Sequence, residues 1–369
     1  MQIVAVVLLA LLLAGVIENR LHQRALAKIP LRILVNGTRG KTTVTRMTAS
    51  ALNAAGLRTY AKTTGSEARR ILPDGSETEY RKRRIVTMME QLPFVRLAAR
   101  GKADAIVVEC MALRVENQRL MAEKLIRPHY VLMTNAYVDH IEEIGKTEEE
   151  TVRVLSQSFT DEAVVIAHDR RFGEYAKRLI VPSCQVDASA FQDCPYPVHA
   201  ENVQLVLALA QELNIPQETV LRAIRNVKPD IGMYKELHLK HLCVRNAFAA
   251  NDPISFSAAL DSCARHGAYT LLYNHRKDRS YRLEAFAQAL RAAACPPGKI
   301  GVIGDDKEGC ARYMRRMTGL PTEAIAEPLA WINTLDVPGG PGQLLCAGNI
   351  KGEGRQLLEE LMKEAQKYV

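Results

Sequence analysis

From residue 31 onward, short apolar runs alternate with longer segments in which apolar residues recur every three or four positions. The short runs, such as Ala105–Glu109, Tyr130–Thr134 and Ala163–Ala167, contain β-branched residues and are bounded by polar or charged ones. They have the length and composition of buried strands, whereas the longer segments have the period of helices with one buried face. Strands that alternate with helices in this way predict an α/β fold with a mostly parallel sheet.

The proline- and glycine-containing stretch KPDIG at 228–232 interrupts this alternation and predicts a domain boundary. A second series of apolar runs follows it. These runs lie near Leu242–Val244, Ala268–Asn274, Lys299–Ile303 and Gln343–Cys346. We therefore predict a first α/β domain over 30–228 and a smaller Rossmann-like α/β domain over 229–369. The length of 369 residues agrees with this division, since one domain takes about 150 residues.

The first 17 residues depart from the pattern, because Gln2 is the one polar side chain among them. A membrane-spanning helix needs about 17–25 mainly apolar residues, so the run is just long enough. Charged or basic residues follow it: Glu18, Arg20, His22, Arg24, Lys28 and Arg32. A signal peptide carries its positive charge before the apolar core, and the positive-inside rule keeps a basic flank in the cytoplasm. We predict a membrane anchor over 1–29, with an interfacial helix or a helix packed against a membrane partner as alternatives.

The composition combines a net charge of +8 with 47% hydrophobic and 24% charged residues, which is ordinary for a globular protein with a large core. The basic residues are scattered and aromatic residues make up 5%, so we expect no nucleic-acid partner. The charge fits an anionic substrate or the cytoplasmic membrane leaflet, with a solvated basic surface as the simpler alternative. The eight cysteines lack the paired spacing of zinc sites, which indicates reduced, packed thiols.

The stretch GTRGKTT at 37–43 is the most informative motif, because it follows the apolar run Leu31–Val35 and precedes a helical pattern. Its glycines allow a tight turn whose N–H groups and following helix N-terminus can face an anion. Lys41 can reach the terminal phosphates of a nucleotide, and the hydroxyl of Thr42 can hold Mg²⁺. The strict phosphate-binding pattern requires glycine in place of Val35, so the loop is a shortened variant. We predict that it binds ATP or GTP.

Polar side chains also stand where other predicted strands end, and ligands collect at the carboxyl ends of parallel strands. Glu109 ends one strand, Thr134 and Asn135 end the next, and Asp139 and His140 follow shortly after. A carboxylate beside a phosphate-binding loop is the usual protein ligand of Mg²⁺. We therefore predict Glu109 as a metal ligand, with an exposed strand terminus as the alternative. A surface or packed histidine is an equally good interpretation of His140.

These residues resemble the Mur ligase superfamily, whose ATP-binding domain has a short glycine loop, a glutamate at a strand end and an N…DH segment. The stretches GTRGKTT, ECMA and TNAYVDHIEEIG carry the resemblance. A narrower resemblance, to the ligase subunits of poly-γ-glutamate synthases, rests on AKTTGSEAR, NAFAANDP, NHRKDRSYR and GNIKGEG. It covers nearly the whole chain after the predicted anchor. The apolar N-terminal segment also fits that family and is unusual for its soluble relatives.

The resemblance implies a Mur-ligase-like domain and an ATP-dependent amide ligase that uses ATP and Mg²⁺. ATP would phosphorylate the γ-carboxylate at the end of a polyglutamate chain, and the amine of the next glutamate would displace the phosphate. By motif match, Thr42, Glu109 and His140 would hold magnesium. The phosphate-binding residues would be Gly37, Thr38, Arg39, Gly40, Lys41, Thr42 and Thr43.

The resemblance also assigns residues to the substrate. Thr64 and Gly65 would line the acyl-phosphate pocket. Arg69 and Arg70 are candidates for the chain carboxylates, because an arginine fork matches a carboxylate in a bidentate way. Catalysis would involve Lys41, Glu109 and His140 together with two arginines of the second domain, Arg276 and Arg279, for which a solvated charged loop is the alternative.

Contacts with the nucleoside are assigned to Asn202, Asn251 and Asp252. One departure weakens the assignment of Asn202, because Leu205 stands where the adenine-binding helix of Mur enzymes often has a second asparagine. Many Mur enzymes also carry a modified lysine as a magnesium-bridging ligand, and the interval 147–170 contains no lysine. We therefore expect that device to be absent.

The expected partners are glutamate, the poly-γ-glutamate chain, the membrane and small multi-span membrane subunits, in a homo- or hetero-oligomer on the cytoplasmic side of the cell membrane. Two other functions stay open at this stage. One is a folylpolyglutamate-type γ-glutamyl ligase, and the other is a nucleotide-binding scaffold of a capsule export complex.

Overall fold

The computed structural model describes residues 2–64, 68–79, 87–138, 143–191, 194, 198–227, 236–239, 241–248, 250, 253–277, 281–335 and 342–365. The chain divides into two compact units. The first contains the described residues up to 227, and the second contains those from 236 onward. The predicted boundary stretch at 228–232 lies outside the described residues.

The first unit begins with helix α1, Gln2–Leu26, which is long and apolar enough to cross a membrane. Most of its apolar side chains are exposed, but His22, Ala25 and Leu26 are buried. Ala25, Leu26 and Ile29 belong to the hydrophobic core of the first unit. The segment predicted as a separate anchor over 1–29 therefore ends inside the α/β unit that follows it.

The first sheet has eight strands in the order β4-β3-β2-β5-β1-β6-β7-β8. The strands are β1 (Leu31–Asn36), β2 (Thr59–Thr63), β3 (Arg69–Ile71), β4 (Glu77–Glu79), β5 (Ala105–Glu109), β6 (Tyr130–Met133), β7 (Val164–Ala167) and β8 (Arg178–Ile180). Seven of them run in the same direction, and β3, which lies between β2 and β4, is antiparallel to both. We call the side on which the parallel strands end the carboxyl edge, and the opposite side the amino edge.

Helices and short 3₁₀ turns cover this sheet. The helices are α2 (Lys41–Ala54), α3 (Gln91–Arg100), α4 (Val115–Arg119, continued by a π-helical segment over Leu120–Ile126), α5 (Glu148–Leu155), α6 (Ala200–Glu212) and α7 (Gln217–Arg225). The 3₁₀ turns are Met88–Glu90, Ser156–Ser158, Arg170–Glu174 and Ala188–Phe191. The central strands β1, β5 and β6 are buried on both faces, which explains their nearly continuous apolar sequences.

The second unit has a six-stranded sheet in the order β13-β12-β11-β14-β10-β9, parallel except for β9. Its strands are β9 (Glu236–His238), β10 (Leu242–Ala247), β11 (Tyr269–His275), β12 (Lys299–Gly304), β13 (Thr322–Ala324) and β14 (Gly342–Gly348). Its helices are α8 (Pro253–Ala264), α9 (Tyr281–Ala292), α10 (Lys307–Thr318), α11 (Pro328–Asn333) and α12 (Glu353–Ala365). The predicted α/β fold with mostly parallel sheets is confirmed in both units.

Candidate nucleotide and ligase site

The predicted phosphate-binding loop connects β1 to α2 at the carboxyl edge of the first sheet. Its two glycines have positive φ values, 129° at Gly37 and 83° at Gly40. A Cβ atom on Gly37 would lie 2.1 Å from Thr134 Oγ1 and 3.0 Å from the carbonyl oxygen of Asn135. The loop therefore requires glycine at 37 for both its backbone conformation and its close approach to β6.

Two asparagines hold this loop in place: Asn135, which we predicted only as a polar residue at a strand end, and Asn36, which we did not predict. The side chain of Asn135 accepts hydrogen bonds from Thr38 Oγ1 at 2.7 Å and from the N–H of Arg39 at 3.0 Å, and it donates to the Arg39 carbonyl at 3.1 Å. Asn36 Oδ1 accepts from the N–H of Gly37 at 2.8 Å. Each asparagine ends or follows a strand beside the loop, so their positions could have been inferred, but their bonding partners could not.

The residues at the start of α2 turn toward the loop and toward β5. The Lys41 ammonium donates to the carbonyls of Gly37 at 2.6 Å and Thr38 at 3.2 Å. The hydroxyl of Thr42 donates to Glu109 Oε2 at 3.0 Å, and Thr43 is buried behind them. Lys41 therefore lies within the curve of the loop, where its charge can reach an anion bound there.

Glu109 is the centre of this arrangement. It ends β5, is 2% exposed, and its Oε2 accepts a second hydrogen bond from the N–H of Thr64 at 2.8 Å. The structure thus brings three predicted residues, Thr42, Thr64 and Glu109, to one point. A carboxylate and a hydroxyl are hard oxygen ligands of the kind that Mg²⁺ prefers, so the residues present fit that metal.

A buried lysine beside Glu109 was not among the predicted site residues. Lys62 on β2 has no exposed surface, and its Nζ lies 3.3 Å from Glu90 Oε2. Burial lowers the pKa of the Lys62 ammonium, while the charges of Glu90 and Glu109 oppose that shift. A lysine inside the short run RTYAKTTG was the available signal, because a charged residue in a buried strand requires a partner.

Helix α6 brings Asn202 to the phosphate-binding loop. The Asn202 side chain is 7% exposed, and its amide atoms would lie 3.3 Å from a Cβ placed on Gly40. Leu205, one turn later on the same helix, is fully buried. Asn202 is therefore the polar side chain with which this helix approaches the loop.

A cavity of about 240 Å³ adjoins the loop-holding Asn135. Its lining includes Tyr137, His168 and Glu201, from the segments after β6 and β7 and from the start of α6. Asp169 at its wall accepts hydrogen bonds from Arg171, which lower the pKa of that carboxyl. Asp169 therefore stabilises the 3₁₀ turn that follows it.

The remaining predicted residues are less closely grouped. Arg69 and Arg70 lie on β3, where they pair with Thr63 and Lys62 of β2, so both are close to the strand end next to Glu109. Arg276 follows β11 at the carboxyl edge of the second sheet. Five predicted residues lie outside the described part of the chain: Gly65, His140, Asn251, Asp252 and Arg279.

Among the described residues, one group of side chains has the spacing of a metal site. Ligand atoms of Glu236, His238 and Cys243 in the second unit lie within 4.8 Å of one another. Glu236 also forms an ion pair with Arg245, and burial raises the pKa of the Cys243 thiol. Both observations favour an ion pair beside a packed, protonated thiol.

Comparison with known proteins identifies the class of protein to which this chain belongs. Residues 35–204 match the Mur ligase middle domain, and residues 234–364 match the C-terminal domain of the poly-gamma-glutamate synthase CapB. The fold is similar to that of Escherichia coli FolC in complex with ADP, with a TM-score of 0.68, 16% identity and coverage of 95% of this chain and 93% of that one. MurF from Acinetobacter baumannii has a TM-score of 0.66 at 15% identity, covering 93% and 78%. The family match over residues 35–204 indicates an ATP-dependent ligase of the Mur ligase superfamily, and the two solved structures share its fold.

Two sequence relatives narrow the class. The PGA synthase CapB of Bacillus subtilis is 30% identical over 298 residues, which cover 75% of each chain. The capsule biosynthesis protein CapB of Bacillus anthracis is 29% identical over 305 residues, which cover 78% of this chain and 66% of that one. The chain belongs to the CapB family of poly-γ-glutamate synthases, as the sequence motifs predicted.

Proposed function

We propose that this chain elongates poly-γ-glutamate. ATP transfers its γ-phosphoryl group to the terminal γ-carboxylate of the chain, which gives an acyl phosphate and ADP. The amine of the incoming glutamate then attacks the acyl carbon, the new amide bond replaces the bond to phosphate, and one proton leaves the nitrogen. The observation that carries this proposal is the buried carboxylate of Glu109, held by Thr42 and Thr64 at the edge of a glycine loop in a chain of the CapB family.

The loop residues 37–43 are proposed to hold the nucleotide phosphates through their N–H groups, the N-terminus of α2 and the Lys41 ammonium. Thr42 and Glu109, with His140, would hold Mg²⁺, which when bound neutralises charge on the phosphates and the acyl group. The cavity beside Asn135 is the proposed place of the nucleoside, with Asn202 next to it. Asn251 and Asp252 of the second unit are proposed as further nucleoside contacts.

The growing chain is proposed to reach the site along the end of β2. Thr64 and Gly65 would bound the acyl phosphate, and the guanidinium groups of Arg69 and Arg70 would pair with carboxylates of the polyanion. Arg276 and Arg279 are proposed to supply further positive charge from the second unit. We therefore assign nucleotide binding to the domain at 30–228 and this supply of positive charge to the domain at 229–369.

The exposed apolar part of α1 is proposed as a membrane anchor with both units on the cytoplasmic side. Single apolar residues on a protein surface are ordinary, but between Ile3 and Val16 this helix exposes ten large apolar side chains, each at least 49% accessible to solvent. A single helix offers no polar path for a polyanion, so we propose small multi-span membrane subunits as partners.

The test compares two variants in membranes that contain the full complex, supplied with ATP and either enantiomer of glutamate. We expect Lys41→Ala to lower nucleotide affinity, and Glu109→Gln to keep nucleotide binding but lower polymer formation by about 10²–10³-fold, the range seen when one stabilising group is removed from an active site. Glu123→Gln, an exposed carboxylate on the π-helical segment, is the matched control.

Polymer formation at the normal rate by Glu109→Gln would contradict the ligase mechanism. If both variants lose nucleotide binding equally, Glu109 acts on the loop rather than on the reaction. A product built on a pterin-type acceptor, with none built on polyglutamate, would instead favour a folylpolyglutamate-type ligase.

A further inference from the structure

Helix α1 has two parts with different surroundings, which meet within one turn. Val16 and Ile17 are 49% and 57% exposed. The next residue, Glu18, pairs with Arg96 of α3 at 2.6 Å, and His22 Nε2 donates to the carbonyl of Leu125 at 2.9 Å. Because Val16, Glu18 and His22 belong to one continuous helix, the apolar part is rigidly joined to the first unit.

The direction in which α1 leaves the unit follows from the helices beside it. Helix α3 leads into the amino end of β5, and α4 with its π-helical segment leads from the carboxyl end of β5 to the amino end of β6. Glu90, directly before α3, pairs with Lys62 near the carboxyl end of β2, so both helices run from the carboxyl edge to the amino edge. The guanidinium of Arg32, in β1, donates to the carbonyls of Leu26 at 3.3 Å and Ile126 at 3.1 Å, so α1 also ends at the amino edge.

Earlier contacts of α1 lie further toward the carboxyl edge. Glu18 precedes Leu26 by eight residues, a rise of about 12 Å. Its partner Arg96 precedes the end of α3 at Arg100 by one turn. Tracing α1 back from Leu26 therefore leads from the amino edge toward the edge that carries the phosphate-binding loop, and the exposed apolar part continues in that direction.

We propose that α1 holds the carboxyl edge of the first sheet toward the lipid bilayer, with the amino edge facing away. This inference rests on the proposed membrane anchor and adds an orientation to it. Met89, in the turn before α3 at the carboxyl edge, is 54% exposed, and a long apolar side chain there suits the membrane interface. A polyanion elongated at this edge is formed next to the bilayer, at a short distance from any membrane subunit that receives it.

The experiment places a fluorescent side chain at one of two exposed positions in the full chain, which is then reconstituted in vesicles containing a headgroup-labelled quencher lipid. One position replaces Met89 at the carboxyl edge, and the other replaces Lys28 at the amino edge. We expect the lipid to quench the probe at 89 and to leave the probe at 28 unquenched. Stronger quenching at 28, or equal quenching at both, would overturn the orientation.

Two further measurements separate the possible failures. If the chain does not float with the vesicles, the anchor itself is wrong and the orientation falls with it, whereas ligase activity in solution is unaffected. In the His22→Ala variant, which loses the contact with Leu125, we expect the difference between the two probes to shrink. Arg24→Ala, an exposed position on the same helix, should keep the difference. A His22→Ala chain that also keeps it would show that these docking contacts do not set the orientation.

Discussion

The carboxyl edges of the two sheets are built differently. In the first unit the edge presents charged side chains, Lys41, Lys62 and Glu109, and each of them is held by a hydrogen bond or an ion pair. Their spacing sets where a phosphate or a metal can bind. Apart from the two glycines of the phosphate-binding loop, the first edge is thus specified by side-chain chemistry.

In the second unit the edge is shaped mainly by the backbone. Gly304 and Gly348 end β12 and β14 with φ values of 91° and 104°. A Cβ atom would lie 2.2 Å from the His275 carbonyl oxygen at Gly304, and 2.5 Å from the Asn274 carbonyl oxygen at Gly348. The Asn274 side chain in turn donates to the carbonyl of Lys351 at 2.9 Å. Replacing the charged side chains of the first edge should therefore act through charge, whereas replacing Gly304 or Gly348 at the second edge should act through sterics.

The largest effect is expected from the buried ion pair at the first edge. Lys62→Met removes the ammonium that pairs with the Glu90 carboxylate. Removing one partner of a buried ion pair lowers the free energy of unfolding by about 3–5 kcal/mol. Replacing both, as Lys62→Met with Glu90→Leu, should recover most of that loss. Calorimetry measures the change, with the exposed Lys124→Met as the control. A loss below about 1 kcal/mol, typical of surface pairs, would show that the pair is well solvated.

At the second edge, Gly304→Ala adds a contact with the backbone, which cannot move aside, to the strain of a positive φ. We expect a loss of about 3 kcal/mol, since positive-φ strain alone costs about 1–3 kcal/mol. Gly319 has a φ of 73° and open space around its Cα, so Gly319→Ala isolates the strain. Trp331 is the one tryptophan of the chain and lies in this unit, so its fluorescence reports the unfolding. An equal loss of unfolding free energy in both variants would show that the contact with the backbone at Gly304 adds nothing to the strain.

A smaller effect is expected from the amide that holds the phosphate-binding loop. Asn135→Ala removes three hydrogen bonds to Thr38 and Arg39, which should weaken ATP binding by about tenfold, or about 1.4 kcal/mol. Titration calorimetry measures the affinity, and Asn226→Ala, an exposed asparagine on the end of α7, is the control. Unchanged affinity would mean that the loop keeps its shape without this side chain.

The smallest effect is a pH dependence in the second unit. His275 is 5% exposed, and burial lowers the pKa of its imidazole below the ordinary 6.5, although Asp306 and Asp305 partly oppose this. The unfolded state therefore takes up a proton first as the pH falls below about 6.5. The contribution of neutral His275 to the free energy of unfolding is therefore fully present above that pH. It declines below that pH, by at most about 1.4 kcal/mol per pH unit.

The fluorescence of Trp331 followed during unfolding between pH 7.5 and pH 5 measures this slope. We expect His275→Gln to flatten it, whereas His266→Gln, at an exposed histidine of the same unit, should not. If both variants keep the slope, other groups cause the loss of stability at low pH.

Much of the fold could be predicted because its signals are local. The predicted strand Ala105–Glu109 has the same bounds in the structure, and α2 begins at Lys41, inside the GTRGKTT stretch. From its sequence, the stretch 66–84 is expected to be an exposed loop or hairpin, and the structure places the short antiparallel strands β3 and β4 within it. Three residues each are too few for a period to show, and their pairing with β2 depends on the sheet that they join.

The site was predictable in part for the same reason. Gly37, Gly40, Lys41 and Thr42 carry a motif whose chemistry is local, and Glu109 stands at the end of an obvious strand. Lys62, Asn36 and Asn135 could not be assigned, because their side chains bond to Glu90, Gln118 and Thr38, which lie 28 to 97 positions away in the chain.

The sequence by itself determined the α/β class, the phosphate-binding loop and the membrane-length helix, because periodicity, glycine placement and apolar length act between neighbouring residues. The tertiary structure decided which side chains meet Glu109, that a lysine is buried beside it, and that the apolar helix is docked without a linker onto the first unit. Those contacts join residues separated by 28 to 103 positions, and such distances are closed by the packing of the whole unit rather than by any local pattern.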